Sequence, residues 1–472
     1  MHPDFAPLTA DAYWLTNAHV PRSLLLGEPS ATPSDLSQVN LAHADLAHVD
    51  LEITGGIITQ IVAHGDRPSS ELPTVDLRRG QVWCTLIDMH THLDKGHIWQ
   101  RSPNRTGTFE DALITVERDR EQRWNVDDVY RRMEFGLKCS YAHGTRAIRT
   151  HIDALNGQAD ISLKAIQTLQ AEWSDRITLQ AVSLLPLDIF LTPEGDRLAD
   201  QFAAVDGVLG GFPLMSPDLD LQLDRIFTLA QERQLSLDFH CDETGQDESI
   251  VLRHVAAAAL RHQFSGQVVC GHCCSLSTQS PEQAQITLDL VKQANIGIVS
   301  LPMCNLYLQD RNQRTSSRWL GEWTKDWQIT PDRTPATLPT QTPRWRGITL
   351  IHELHHWGIP VAIASDNCRD PFYGFGDHDG LEVFTQGVRI AHLDAPYAQW
   401  CRTVTTTPAD LMGLPTAGRI GVGLPADLIL FKARYFSELL SRPQSDRIVL
   451  RHGKPIDTTL PDYTELDDLL LP

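Results

Sequence analysis

The spacing of apolar and polar residues changes near residue 80. Before it, Asp11 to Val20 and His48 to Ala63 carry alternating or continuous apolar residues, the pattern of strands. Gly55-Gly56, inside Leu51-Glu52-Ile53-Thr54-Gly55-Gly56-Ile57-Ile58-Thr59-Gln60-Ile61-Val62, predicts a hairpin turn. Residues 27 to 47, rich in Pro, Ser, Ala and His, predict a loop. Beyond residue 81, short apolar runs alternate with helical stretches, which predicts βα units and a parallel sheet. The runs are Val82–Asp88, Arg146–His151, Ile177–Leu184, Gly207–Gly211, Ser236–His240, Gln267–His272, Ile296–Leu301 and Pro360–Asp366. Eight runs over about 290 residues match a TIM-type (β/α)8 barrel with insertions. Val129, Met133, Phe135 and Leu137 show the helical apolar spacing expected between the first two runs.

After the eighth run, Thr407-Pro408-Ala409-Asp410 predicts a helix start. The stretch from Gly418 to Phe431 reads as turn, strand, turn, strand, and Asp446–Arg451 as a further strand before a turn at Gly453-Lys454. These strands are expected to join the N-terminal ones. The organisation is therefore 1–80 and 411–472 as two parts of one small β domain, with the barrel over 81–410 between them. Residues 313–343 are polar and rich in Pro, Thr and Arg, yet hold Trp319, Trp323 and Trp327. They read either as a surface excursion pinned by its indoles or as a lid or subunit contact.

Composition narrows the function. With 472 residues, 42% of them apolar, the chain can bury a barrel-sized core. A formal net charge of -20 repels phosphate, which argues against a nucleic-acid partner and favours a small neutral or cationic substrate. No run is long enough to span a bilayer. The start, Met1-His2-Pro3-Asp4-Phe5-Ala6, shows no basic region leading into an apolar core. Nine scattered cysteines read as reduced thiols, and a cytoplasmic protein is expected.

In a parallel barrel the chemistry gathers at the C-terminal strand ends. The first run leads into Asp88-Met89-His90-Thr91-His92-Leu93-Asp94-Lys95, where two histidines two apart point the same way from an extended chain. Alone, such a pair is as well explained by one packed and one surface histidine. The other ends carry Arg149-Thr150-His151-Ile152-Asp153, His240-Cys241-Asp242-Glu243, Gly271-His272 and Ser365-Asp366-Asn367. Five of eight ends thus bring imidazole or carboxylate to one face, which packing does not explain.

With these motifs, together with Asn305-Leu306-Tyr307-Leu308-Gln309, Arg346-Gly347-Ile348-Thr349 and Asp370-Pro371, the chain resembles the amidohydrolase superfamily, within its cytosine deaminase-like branch. The resemblance runs in order across residues 82 to 410, and the terminal β segments suit the composite β-sandwich it implies. It implies that His90, His92, His240 and Asp366 hold one Zn²⁺ or Fe²⁺. Such an ion lowers the pKa of bound water to roughly 7. Asp366 would accept that water's proton, Glu243 would act as acid and base on ring nitrogen and leaving amine, and His272 would orient the nucleophile. His151, Asp153, Asn367 and Lys95 are expected near the substrate; for Lys95, a solvated rim position is the competing reading. The reaction implied is hydrolytic deamination of a small nitrogen heterocycle, a cytosine-like nucleobase or related ring, by metal-bound hydroxide with release of ammonia. Release of an alkylamine from an N-alkylamino triazine, or opening of a cyclic amide, is the near alternative. A non-catalytic metal-binding barrel is the alternative of another class, and Glu243 with His272 argues against it. A homo-oligomer is what the resemblance implies for assembly.

Three departures from the cytosine deaminase pattern fall around the substrate. Asn367 replaces the branch's second Asp, Leu184-Leu185-Pro186-Leu187-Asp188 lacks the expected Gln, and Asp370-Pro371-Phe372 replaces Asp-Pro-Trp. An amide neither takes a proton nor balances a charge. Two further motifs read as chance. His352-Glu353-Leu354-His355-His356 fits H-E-x-x-H but should face outward from the helix before the eighth run. Cys270-Gly271-His272-Cys273-Cys274 contains C-x-x-C without a second pair, and the P-C-x-x-C of base-flipping deaminases is absent.

Overall fold

The computed structural model describes residues 6–27, 45–311 and 342–470. The predicted 27–47 loop and the tryptophan-bearing stretch 313–343 fall, apart from their ends, outside the described residues.

The N-terminal segment forms a four-stranded sheet ordered β3-β2-β1-β4, from β1 (Ala12–Pro21), β2 (Leu46–Thr54), β3 (Ile57–Ala63) and β4 (Thr74–Asp76). The β2–β3 hairpin turns at Gly55-Gly56, both at positive φ, as the glycine pair predicted. The run Val82–Asp88 is not one strand but two, β5 (Val82–Cys84) and β6 (Leu86–Thr91). β5 pairs antiparallel with a C-terminal strand, whereas β6 pairs parallel with its successor. Thr85 stands between them, and its N–H donates to the Asp427 carbonyl (3.1 Å).

Seven more parallel strands follow: β7 (Thr145–Asp153), β8 (Thr178–Leu184), β9 (Leu209–Gly211), β10 (Leu237–Cys241), β11 (Val268–His272), β12 (Gly297–Ser300) and β13 (Val361–Ile363). They form two parallel sheets, β6-β7-β8 and β13-β12-β11-β10-β9. Helices alternate with these strands, so the fold is α/β with parallel sheets. Three of the intervening helices start on side-chain caps: Thr108 for Phe109–Arg123, Asn125 for Val126–Ala142 and Ser280 for Pro281–Gln293. Isolated parallel bridges Val182↔Val208 and Thr91↔Asp366 join the two sheets at both margins. The Asp366 N–H donates to the His90 carbonyl (2.9 Å) across the second of these.

An inner apolar cluster unites Ile87, Met89, Ala147, Val269, Val299, Ala362 and Ala364 with Ala409, Leu411 and Met412. The last three come from the end of the chain's parallel region, where the helix Thr406–Leu411 forms as predicted. Arg149, almost fully buried, donates to Asp238 (2.8 Å) and to the Leu411 carbonyl (3.2 Å), so the apolar interior is closed by a paired charge.

The chain ends with β14 (Leu428–Leu430), β15 (Ile448–Arg451) and β16 (Lys454–Pro455), in a sheet ordered β16-β15-β14-β5. Of the two strands expected between Gly418 and Phe431, only β14 forms. Ile420 and Pro425 make isolated bridges, to Leu25 and Ile57, because glycine and proline there prevent a continuous ladder. All nine cysteines are buried and unpaired. Among the described residues no helix is long and apolar enough to cross a membrane.

Candidate metal centre and catalytic site

β6 carries His90 and His92 to the strand end. Its register against β7 shifts between Asp88 and Thr91, an irregularity that re-aims the side chains. The rings stand 5.5 Å apart and are tilted 71° to one another. Both imidazoles reach the same two partners. His90 Nε2 lies 3.2 Å from His240 Nε2 and 3.6 Å from Asp366 Oδ1. His92 Nε2 lies 3.2 Å from His240 Nε2 and 3.2 Å from the same Asp366 oxygen. Four ligands about 2.1 Å from a tetrahedral ion stand about 3.4 Å apart, so these spacings are those of a ligand set.

Electrostatics agree. Burial pushes the imidazoles of His90, His92 and His240 well below their ordinary pKa, which leaves them neutral with lone pairs available. Both Asp366 oxygens are buried without a hydrogen-bond partner, and burial pushes that carboxyl up to about 8. A carboxylate so placed costs several kcal/mol unless a cation compensates it, on the order of the usual burial penalty. Three neutral imidazoles and one uncompensated carboxylate fit a divalent ion.

His272, from the end of β11, brings a ring nitrogen within 4.8 Å of the ligand atoms of His90, His240 and Asp366. Its other side is occupied. Asn305 Nδ2 donates to His272 Nδ1 (3.0 Å) and to Glu243 Oε1 (3.1 Å). With Asn305 Nδ2 as the donor, the His272 proton lies on Nε2, a buried atom with no partner. Burial pushes His272 down to about 3, so the ring is neutral. Burial, then the charge of Asp366, pushes Glu243 well above an ordinary carboxyl, which suits a group that donates a proton. Glu243 and His240 are only half-buried, so the site opens to solvent on their side.

The remaining expected residues fall into two places. Lys95 is 4% exposed, which removes the solvated-rim reading; its Nζ donates to Asp153 Oδ1 (2.7 Å). Arg120 holds the other Asp153 oxygen (3.1 Å), and Asp94 accepts the Asp153 backbone N–H (2.7 Å). Asn367 donates to Asp370 Oδ2 (2.7 Å), and Asp370 Oδ1 accepts the Phe372 N–H (2.8 Å). His151, by contrast, packs against His90, His92 and His240. Its ring is 4.0 Å from that of His90, and its Nε2 lies 3.8 Å from Asp238.

Three participants had no role in the sequence reading. Asn305 sat in a recognised motif without a function. Gln309 of the same motif donates to the Glu243 carbonyl (3.2 Å). Arg120, on the helix Phe109–Arg123, carried no signal at all, since a basic residue in a last helical turn is ordinary. The two chance motifs behave as expected: His352, Glu353, His355 and His356 are exposed, and Cys270, Cys273 and Cys274 are buried.

Comparison with known proteins follows the geometry. The amidohydrolase family profile matches residues 147–457. Over 468 residues, 98% of each chain, the sequence is 47% identical to a pterin deaminase of Rhizobium rhizogenes. It is 22% identical over 399 residues to an N-isopropylammelide isopropyl amidohydrolase of a Pseudomonas species, covering 81% of this chain and 87% of the other. Among solved structures, a 5-methylcytosine deaminase from Klebsiella pneumoniae with 5-fluorocytosine superposes over 95% of this chain and 98% of its own, with a TM-score of 0.75 and 22% identity. That last likeness is one of fold.

Proposed function

The chain belongs to the amidohydrolase family and is a hydrolase of carbon–nitrogen bonds, a deaminase of a nitrogen heterocycle; we propose that its substrate is a pterin. One observation carries the substrate: 47% identity to a pterin deaminase along nearly the whole of both chains. The departures at Asn367, Leu184–Asp188 and Phe372 support it, because they alter the substrate's surroundings while leaving the ligand set intact. The overall change is water plus an amino-substituted ring carbon giving a ring carbonyl plus ammonia.

We assign His90, His92, His240 and Asp366 to one divalent ion, Zn²⁺ or Fe²⁺. When bound, that ion supplies Lewis acidity and makes water a competent nucleophile at neutral pH. The chain's own groups do the rest. Asp366 takes the proton from water. Glu243, steadied at Oε1 by Asn305, gives a proton to the ring nitrogen and then serves the departing amine. His272, protonated at Nε2, orients the nucleophile and the developing oxyanion. Lys95, Asp153 and Asn367 hold the substrate, with Lys95 kept charged beside Asp153. His151 backs the ligand imidazoles.

For the scaffold, we read the eight parallel strands as one (β/α)8 barrel over 81–410, supported by the bridges that join the two sheets at both margins. We read 1–80 and 411–472, with β5 added through its pairing with β14, as one β-sandwich domain. Its support is the bonding between the ends: Tyr13 Oη donates to the Gly453 carbonyl (2.5 Å), the Ala426 N–H to Gly56 (2.8 Å), and Lys454 Nζ to Asp11 (3.0 Å). Nine buried thiols suit a cytoplasmic setting.

The test is ammonia release by the purified, metal-loaded protein from pterin, cytosine and N-isopropylammelide. The expected result is turnover of pterin with kcat/KM at least about 100-fold above cytosine. Isopropylamine from the third compound at a comparable rate, or no ammonia from pterin, overturns the assignment.

A further inference from the structure

A second group of metal-ligating side chains lies outside the proposed centre. His97, Cys368 and His378 each offer a ligand atom within 4.8 Å of the other two. They are 1%, 2% and 3% exposed, and they share no residue with the His90, His240, His272 and Asp366 cluster. The chemistry proposed above uses none of them.

Three separate segments bring them together. His97 lies on the loop after β6, two residues past Lys95. Cys368 follows Asn367 on the loop after β13. His378 precedes the helix Gly380–Ala391, which Asp379 caps. The first two loops are already joined by backbone bonds: the His97 N–H donates to the Cys368 carbonyl (3.1 Å) and the Trp99 N–H to Arg369 (2.8 Å). The helix Val126–Ala142 closes the group from one side. The Phe135 ring is 4.8 Å from that of His97, and a Cβ at Gly136 would come within 3.1 Å of His378 Nε2.

The two imidazoles face each other through Nε2 at 3.1 Å. As a neutral pair they hold one proton between the two Nε2 atoms and the second on one Nδ1, and both Nδ1 atoms are left buried without a partner. A hydrogen-bonded pair has no need of a buried thiol beside it. A cation uses all three groups: two neutral nitrogens and one thiolate, a borderline-soft donor set of the kind zinc takes. A doubly charged ion deprotonates a thiol that it binds, and Cys368 is placed to supply one. The Sγ–H bond breaks as the sulfur–metal bond forms, and the proton passes to solvent.

We propose that His97, Cys368 and His378 bind a second divalent ion, which ties the loop bearing Lys95 to the loop bearing Asn367. The ion would hold the walls of the substrate site in register and take no part in the reaction.

Cobalt distinguishes this site from the first, because the first has only nitrogen and oxygen donors. The purified full-length protein is stripped with chelator and titrated with Co²⁺. The expected result is two equivalents per chain and a sulfur-to-cobalt charge-transfer band in the near ultraviolet. Asp366→Asn should remove one equivalent and leave the band. Cys368→Ser should remove the other equivalent and abolish the band, whereas Cys401→Ser, at a buried thiol elsewhere, should keep both. If Cys368→Ser does not fold, the unmodified protein decides. One equivalent without the band, or a band that survives Cys368→Ser, overturns the proposal whatever the substrate proves to be.

Discussion

Asp366 and Asp153 are both buried carboxylates at the ends of parallel strands, yet their surroundings are opposite. Neither Asp366 oxygen has a hydrogen-bond partner. Asp153 is gripped on one oxygen by Lys95 and on the other by Arg120. The same contrast extends outward. Around Asp366 the imidazoles are neutral and turned inward, while beside Asp153 and Asn367 the polar groups are bonded to one another. A carboxylate left uncompensated in the interior is a place prepared for an added charge. A carboxylate between two cations is a fixed part of the wall.

If that contrast is sound, the floor should depend on an added ion and the wall should not. Chelation is therefore expected to have the largest effect, abolishing ammonia release, with recovery on returning Zn²⁺ or Fe²⁺; Asp366→Ala should show the same loss with one equivalent less metal by elemental analysis. Full activity after exhaustive metal removal would dissolve the distinction. Glu243→Gln comes next. It should keep the metal and lower kcat by about 10² to 10⁴-fold, the usual worth of general acid–base help.

Asn305 bonds Glu243 and His272, both on the Asp366 side, so its replacement sharpens the comparison. Asn305→Ala should lower kcat by about 10- to 100-fold with KM and metal content unchanged, as expected of a residue acting through Glu243 and His272. A KM effect alone would make it part of the substrate wall instead. Asn367→Asp sets a second carboxylate against Asp370 and removes the donor that holds it. Denaturant unfolding should show a loss of about 1–3 kcal/mol, with metal content unchanged. The smallest effect is expected at Glu353→Gln, on the exposed H-E-x-x-H helix: stability within about 0.5 kcal/mol and normal metal content.

How much of this was legible in the sequence depended on how local the cause is. His90, His92, His240, His272 and Asp366 could be read because each sits at a strand end, where the architecture itself assigns a position. The Gly55-Gly56 hairpin was legible because positive φ has a residue signature. Asn305 was not assigned a role, because its two partners come from elements 62 and 33 residues away. Arg120 was invisible for the same reason. The break at Thr85 was hidden by hydrophobicity: Val82 to Ile87 is apolar but for Thr85, and a single threonine in an apolar run does not show that its halves pair with different neighbours.

That break at Thr85 has a consequence for biosynthesis. β5 finds its antiparallel partner in β14, more than 340 residues later, and one residue beyond β5 begins the strand that delivers His90 and His92. A nascent chain can have Asp366, the last of the four proposed ligands, clear of the ribosome while Leu428–Leu430 is still unsynthesised. Until then the edge of Val82-Trp83-Cys84 lacks its mate, and the root of the ligand-bearing strand is unanchored. Loop closure over so long a span is slow. Anchoring of the strand that carries His90 and His92 is thereby expected only once Leu428–Leu430 has been made.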